Sequence, residues 1–216
     1  MRYFFFLIAF FCCFFTFSQR SFFKAFSTSE GLAQSQVTSI CQDSTGYLWI
    51  GTLGGISRYN GNTFTNYSTD NGLLNNRVNS IKWINAKLYI GHQGGISIME
   101  NNKIQQFPLE KEFNLVNVTD IVSYNGTIVI ATNGEGLFQL KNKQLVKIPL
   151  LYDDYLFVRD LLEWKGDLYI ATRGGVIRTD NLKTTTSFLE NKEVSVSSLA
   201  VLKNNLLIST FYNGLY

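Results

Sequence analysis

From residue 37 onward the chain writes one hydrophobic pattern five times. Each copy opens with a short apolar run: Val37–Ile40, Val78–Ile81, Val118–Ile121, Val158–Leu161 and Val196–Leu199. A polar turn follows, and then a strand that is apolar on both of its sides. In that strand Leu48 and Ile50 point one way and Trp49 the other, and Tyr89, Val129, Tyr169 and Leu207 repeat the Trp49 position. A wet antiparallel sheet would alternate apolar with polar; one that is apolar on both sides is covered on both faces. A third strand begins after a glycine present in every copy (Gly55, Gly95, Gly136, Gly175, Gly214), and a more polar fourth strand closes the unit. That glycine reads as a backbone position, needing positive φ or close approach, rather than as a ligand contact.

The central isoleucines lie at 50, 90, 130, 170 and 208, so the period is 40 residues with one step of 38. Four antiparallel strands per unit of that length, with inner strands covered on both faces, describe a β-propeller blade. The expected fold is therefore all-β, with blades at about 35–70, 76–110, 116–150 and 156–190 and a partial fifth at 194–216. The fifth copy stops inside its third strand, which reads as the N-terminal fragment of a larger propeller; residues 21–26 are available as a closing outer strand for that last blade. Asn125-Gly126 is the strongest hairpin signal among the turns. Pro108 and Pro149 fall at the ends of fourth strands, where an outer edge tolerates a missing N–H. No helical stretch is expected after residue 18.

The first 18 residues differ from the rest. Arg2 precedes an apolar run from Phe4 to Phe17, and Thr16 and Ser18 sit where a signal peptidase wants small residues. A cleaved signal peptide over 1–18 and a propeller over 19–216 are the expected divisions, because the run is shorter than the roughly 20 residues of a spanning helix. Cleavage leaves Cys41 as the one cysteine and a formal charge near +2, and charged residues make up 16% of the chain. The domain is thus exported, without an internal disulfide, and carries no dense basic run for nucleic acid.

The stretch Glu30-Gly31-Leu32, Gln36-Val37-Thr38-Ser39-Ile40, Gln42-Asp43, Gly46-Tyr47-Leu48-Trp49-Ile50-Gly51-Thr52 and Gly54-Gly55-Ile56-Ser57-Arg58-Tyr59-Asn60-Gly61 resembles the two-component regulator propeller repeat, and residues 70–78 resemble its inter-blade linker. The likeness is strongest in the first copy; in later ones Ala131 and Ala171 replace Gly51, and Tyr, Val or Leu replaces Trp49. The resemblance implies the extracytoplasmic sensor of a histidine kinase or hybrid regulator. In the complete protein it implies further blades, an immunoglobulin-like domain, a membrane helix and a kinase module; a homodimer of the full-length form is a separate expectation. It also implies a periplasmic location before an inner-membrane anchor, and an oligosaccharide or other small polar ligand.

Catalytic chemistry finds little footing. His92 is the sole histidine, no Gly-x-Ser-x-Gly elbow exists, and one His with one Cys does not make a metal site. Asp153-Asp154 reads as a solvated loop, and Cys41 as a packing residue. No enzyme activity and no cofactor are expected. A binding surface remains, on the face where the second-to-third-strand loops and the inter-blade linkers emerge, because those positions vary while the framework does not. The candidate ligand-binding residues are Arg77, His92, Gln93, Asn133, Glu135, Arg159, Arg173 and Tyr212. The alternative is a secreted scaffold that uses the same face for a protein partner, with no kinase attached.

Overall fold

A computed structural model describes residues 23–149, 155–190 and 194–216; the expected signal peptide and Asp153-Asp154 lie outside them. Eighteen strands form five sheets among the described residues. The first blade is β1 (Val37–Gln42), β2 (Leu48–Thr52), β3 (Gly55–Tyr59) and β4 (Phe64–Tyr67). The second is β5 (Val78–Ile84), β6 (Lys87–His92), β7 (Gly95–Glu100) and β8 (Lys103–Pro108). The third is β9 (Val118–Tyr124), β10 (Thr127–Thr132), β11 (Leu137–Lys141) and β12 (Gln144–Ile148). The fourth is β13 (Val158–Trp164), β14 (Asp167–Thr172), β15 (Gly175–Thr179) and β16 (Thr186–Glu190), and β17 (Val196–Leu202) pairs with β18 (Asn205–Thr210) in the last sheet. Each four-stranded sheet is an antiparallel meander, and Leu215 begins a third strand beside Ser209.

The core is a series of seams between blades. In each seam the forward side of one blade meets the first strand of the next: Trp49 and Ile56 face Val78 and Ile81, and Tyr89 and Ile96 face Val118 and Ile121. Val129 and Leu137 then face Val158 and Leu161, and Tyr169 and Val176 face Val196 and Leu199. The double-sided apolar strand follows from this: Tyr89 points forward while Ile90 points back, and both are buried. Blade one shows the converse, because its backward-pointing Leu48 and Ile50 are half-buried and Val37 and Ile40 are 49% and 61% exposed.

A small residue sits at the centre of every seam. Gly51, Gly91, Ala131, Ala171 and Ser209 occupy one position, and a Cβ placed on Gly91 would stand 2.6 Å from Val118 Cγ1. The glycine before each third strand is forced by geometry. Gly55 (φ 126°) and Gly95 (φ 145°) have left-handed backbones, and a Cβ there would run into the carbonyl oxygens of Tyr67 and Phe107.

Polar groups tie the first strands together. Every β1-type strand carries a bulge at the same place, at Thr38, Asn79, Thr119, Arg159 and Ser197. In the first four blades the bulge turns that side chain toward the next blade. Thr38 Oγ1 donates to the Val78 carbonyl at 2.9 Å, and Thr119 Oγ1 to the Val158 carbonyl at 3.0 Å. One residue on, carboxylates accept backbone N–H groups of the next first strand: Leu161 N–H to Asp120 Oδ2 at 3.2 Å and Leu199 N–H to Asp160 Oδ2 at 2.7 Å. These bonds satisfy main-chain groups that the inner edge of each sheet leaves unpaired.

Two expectations change. The linkers contain single-turn 3-10 helices at Thr28–Glu30, Thr69–Asn71 and Lys111–Phe113. The first two are closed by capping boxes from Ser27 and Ser68 and end on left-handed Gly31 and Gly72. Residues 23–27 form no strand; Phe26 packs on Tyr59 (5.2 Å) and Phe64 (5.4 Å) of blade one.

Gly91→Ala tests the seam. The added methyl overpacks the Val118 contact, so the variant should lose roughly 1–3 kcal/mol in urea unfolding. An unchanged midpoint would show that this seam yields freely.

Candidate functional site

The loop face is built by one repeated device. At the end of the second strand in blades one, three and four a buried threonine bonds the loop's own glycine carbonyl: Thr52 Oγ1 to Gly55 at 2.8 Å, Thr132 to Gly136 at 2.8 Å and Thr172 to Gly175 at 2.9 Å; in the last sheet the half-buried Thr210 bonds Gly214 at 2.9 Å. The next residue donates its N–H to the residue just before the blade's first strand: Leu53 to Gln36, Asn133 to Asn117, Arg173 to Phe157 and Phe211 to Ser195. Each such pair sets two variable side chains next to each other on the rim.

The eight candidate residues separate on this frame. His92 takes the threonine position and is fully buried. Its Nε2 lies 3.0 Å from Ser97 Oγ, which in turn accepts the Leu74 N–H of the linker. Placing His92 on the binding surface is therefore corrected: it is a framework side chain. Burial pushes its pKa down to about 4, with the backbone of Arg77 and Asn75 acting weakly against that. Glu135 is held by Lys147 Nζ at 2.7 Å, toward the outer strand of its own blade. Gln93 is half-buried, and its Nε2 donates to the Leu115 carbonyl. Arg77 and Asn133 are exposed, on blades two and three.

Arg159 and Arg173, both of blade four, each lie over an aromatic ring on this rim: Arg159 reaches forward to the last sheet, where Phe211 and Tyr212 stand, and Arg173 lies over Phe157, whose backbone pairs with Asn133 of blade three. The Arg173 guanidinium lies 5.7 Å from the Phe157 ring, and that of Arg159 lies 5.1 Å from the Phe211 ring. Phe211 packs at 6.3 Å on Tyr212, which is 89% exposed. Neither arginine has an ion-pair partner among the described residues, and Arg159 Nε is buried without a hydrogen bond. Two guanidinium groups beside three exposed rings can hold a polar ligand with an extended face, by hydrogen bonds at its edge and stacking on its plane. Phe157 is the residue that pattern reading missed. Its signal was an aromatic at a position that holds Gln36, Arg77, Asn117 or Ser195 in the other copies.

A second electrostatic feature lines the inner strands. Both Asp120 and Asp160 accept the Leu161 N–H, at 3.2 and 3.0 Å, and Lys82 Nζ lies 3.0 Å from Asp120 Oδ1. Burial first, and then the Asp120 charge, raise the Asp160 pKa to about 6. Among the described residues no three His, Cys, Asp or Glu side chains converge as metal ligands.

Residues 31–54 match the family described as Two component regulator propeller. That stretch runs from the Gly31 turn through β1 and β2 to the rim loop. The four meander sheets and their seams are those of a β-propeller. A segment of 45 residues is 47% identical to histidine kinase P4 of Formosa agariphila, covering 21% of this chain and 3% of the kinase. The extracellular domain assigned to the hybrid two component system BT3049 of B. thetaiotaomicron superposes with a TM-score of 0.66 at 19% identity, over 89% of this chain and 34% of that one. That of BT4673, assigned to a one component system, gives 0.69 at 22% identity, over 83% and 27%. The chain thus spans about a third or less of the length of these two extracellular domains, and 3% of the kinase. No helix among the described residues is long and apolar enough to cross a membrane.

His92 and Asp160 oppose each other in pH dependence. His92 has its folded pKa below the ordinary value of 6.5, so the unfolded chain binds the proton first and stability falls as pH drops from about 6.5 toward 4. Asp160 has its folded pKa raised from 3.8 to about 6, so the folded chain binds the proton first and stability rises as pH drops through that window. Relative to the parent, His92→Thr should gain stability as pH is lowered from 6.5 to 4, and Asp160→Asn should lose it. Urea midpoints across that range check both signs; parallel curves for all three proteins would refute the assignment.

Proposed function

We propose that this chain is the ligand-sensing part of an extracytoplasmic β-propeller in a two-component signalling protein, and that it passes ligand binding to a downstream histidine kinase. The observation that carries the reading is the rim cluster of Arg159, Arg173, Phe157, Phe211 and Tyr212. It joins two cations without ion-pair partners among the described residues to exposed aromatic rings, on the face where the repeat leaves its residues free to vary. The family match over residues 31–54 and the fold shared with extracellular regulator domains supply the context. The ligand is a small polar molecule, with an oligosaccharide the first choice: ring faces suit stacking, and guanidinium forks suit hydroxyl and carboxylate oxygens. Arg77 and Asn133 extend the same rim toward the earlier blades.

The cluster spans a blade seam, since Arg159 of β13 reaches Phe211 beyond β18. A ligand held there bears on the relative position of two blades, which is how binding would be converted into a mechanical signal.

Arg159→Gln with Arg173→Gln should abolish or weaken by roughly tenfold or more the binding of an oligosaccharide found by glycan-array screening. Circular dichroism should show the fold intact. Unchanged binding in the double variant would remove the rim cluster from the reading.

A further inference from the structure

An open groove of about 400 Å³ runs along the outer seam between blades two and three, and no part of it belongs to the rim cluster. Its lining comes from the start of β6, the β7–β8 turn, β8 and the β11–β12 turn, which places it at the end of the blades opposite the loop face. The floor is apolar, made by Ile98, Phe107 and Leu140, with the ring of Tyr89 beside them. Phe107 and Lys143 also line a second hollow of about 360 Å³ farther along the same seam, so the groove continues between the outer strands.

The charges of this groove do not cancel. Lys87 is neutralised by Glu100, with Nζ 3.1 Å from the carboxylate. Lys103 and Lys143 have no ion pair among the described residues, and they stand on different blades, one at the start of β8 and the other in the β11–β12 turn. Two ammonium groups on two walls above an apolar floor ask for a ligand with an anionic group toward each wall and a carbon body between. The amides of Gln105 and Asn142 line the same space and suit hydroxyl groups on that body. The volume lies in the range of small-molecule sites, roughly 300–1,000 Å³, and matches a disaccharide-sized molecule better than a macromolecular interface.

We infer that this seam groove binds a hydroxylated organic dianion of about disaccharide size, held between Lys103 of blade two and Lys143 of blade three. The site is independent of the rim cluster and of the sensor reading. A ligand there clamps two neighbouring blades, so occupancy raises thermal stability as well as giving a binding signal.

The test is isothermal titration of the full chain with digalacturonate at low salt, with neutral cellobiose as comparison and with Lys103→Gln/Lys143→Gln as the variant. The expected result is saturable binding of digalacturonate that weakens with added salt, a raised melting temperature, and a loss of roughly tenfold or more in affinity in the double variant. Both lysines are on the surface, so the variant should keep the parent's unfolding midpoint. No binding of digalacturonate, equal binding of cellobiose, or undiminished affinity in the double variant would each overturn the inference; the last would move the anion to the arginine rim.

Discussion

The contact of a valine with a small residue governs this molecule. Val78, Val118, Val158 and Val196 each press on the second strand of the blade before, where Gly51, Gly91, Ala131 or Ala171 leaves room. All four valines are fully buried, and the apolar side chains around them make the four seams in which the core lies. The period of the chain, the doubly apolar second strand and the bulge in each first strand are consequences of keeping that contact in register. Close packing of this kind tolerates little change in volume, which explains why the position holds only Gly, Ala or Ser across five copies.

Polar chemistry is arranged around the same contact. Thr38, Thr119, Asp120 and Asp160 reach from one blade to the main chain of the next, along the strands nearest the centre of the arc. At the rim, Thr52, Thr132 and Thr172 fold each loop back on its own carbonyl. The residue that follows each threonine is then free to differ. Rigid placement of variable side chains is what a binding surface requires, and the Arg159–Phe211 and Arg173–Phe157 pairs show the result.

The blade count, the strand order and the inner placement of Val, Ile and Trp49 were legible because a repeated pattern averages out local ambiguity. What escaped reading has physical reasons. His92 looked like a loop residue by its chemistry, yet its column holds Thr52, Thr132 and Thr172, and all of these are buried. Its position in the repeat carried more information than its side chain. The 3-10 turns were masked by their shortness, although Ser27 and Ser68 with Gly31 and Gly72 spell their caps. Phe157 was visible as an aromatic in a polar column. Lys103 and Lys143 are 40 residues apart, one period of the repeat, so their equivalence in adjacent blades was legible, whereas the groove between them depends on how Ile98, Phe107 and Leu140 pack and was not.

Each seam is asymmetric: the preceding blade offers the small residue, joined in one seam or another by a hydroxyl (Thr38, Thr119) or a carboxylate (Asp120, Asp160), and the following blade offers the valine and its main chain. A unit of 40 residues therefore carries a matching socket and plug. Such a unit can be copied or deleted within a gene and leave both new neighbours with an interface they already fit. The architecture is in this sense indifferent to its own length, and its history can be one of duplication, with chemistry added afterwards on the rim and in the outer grooves.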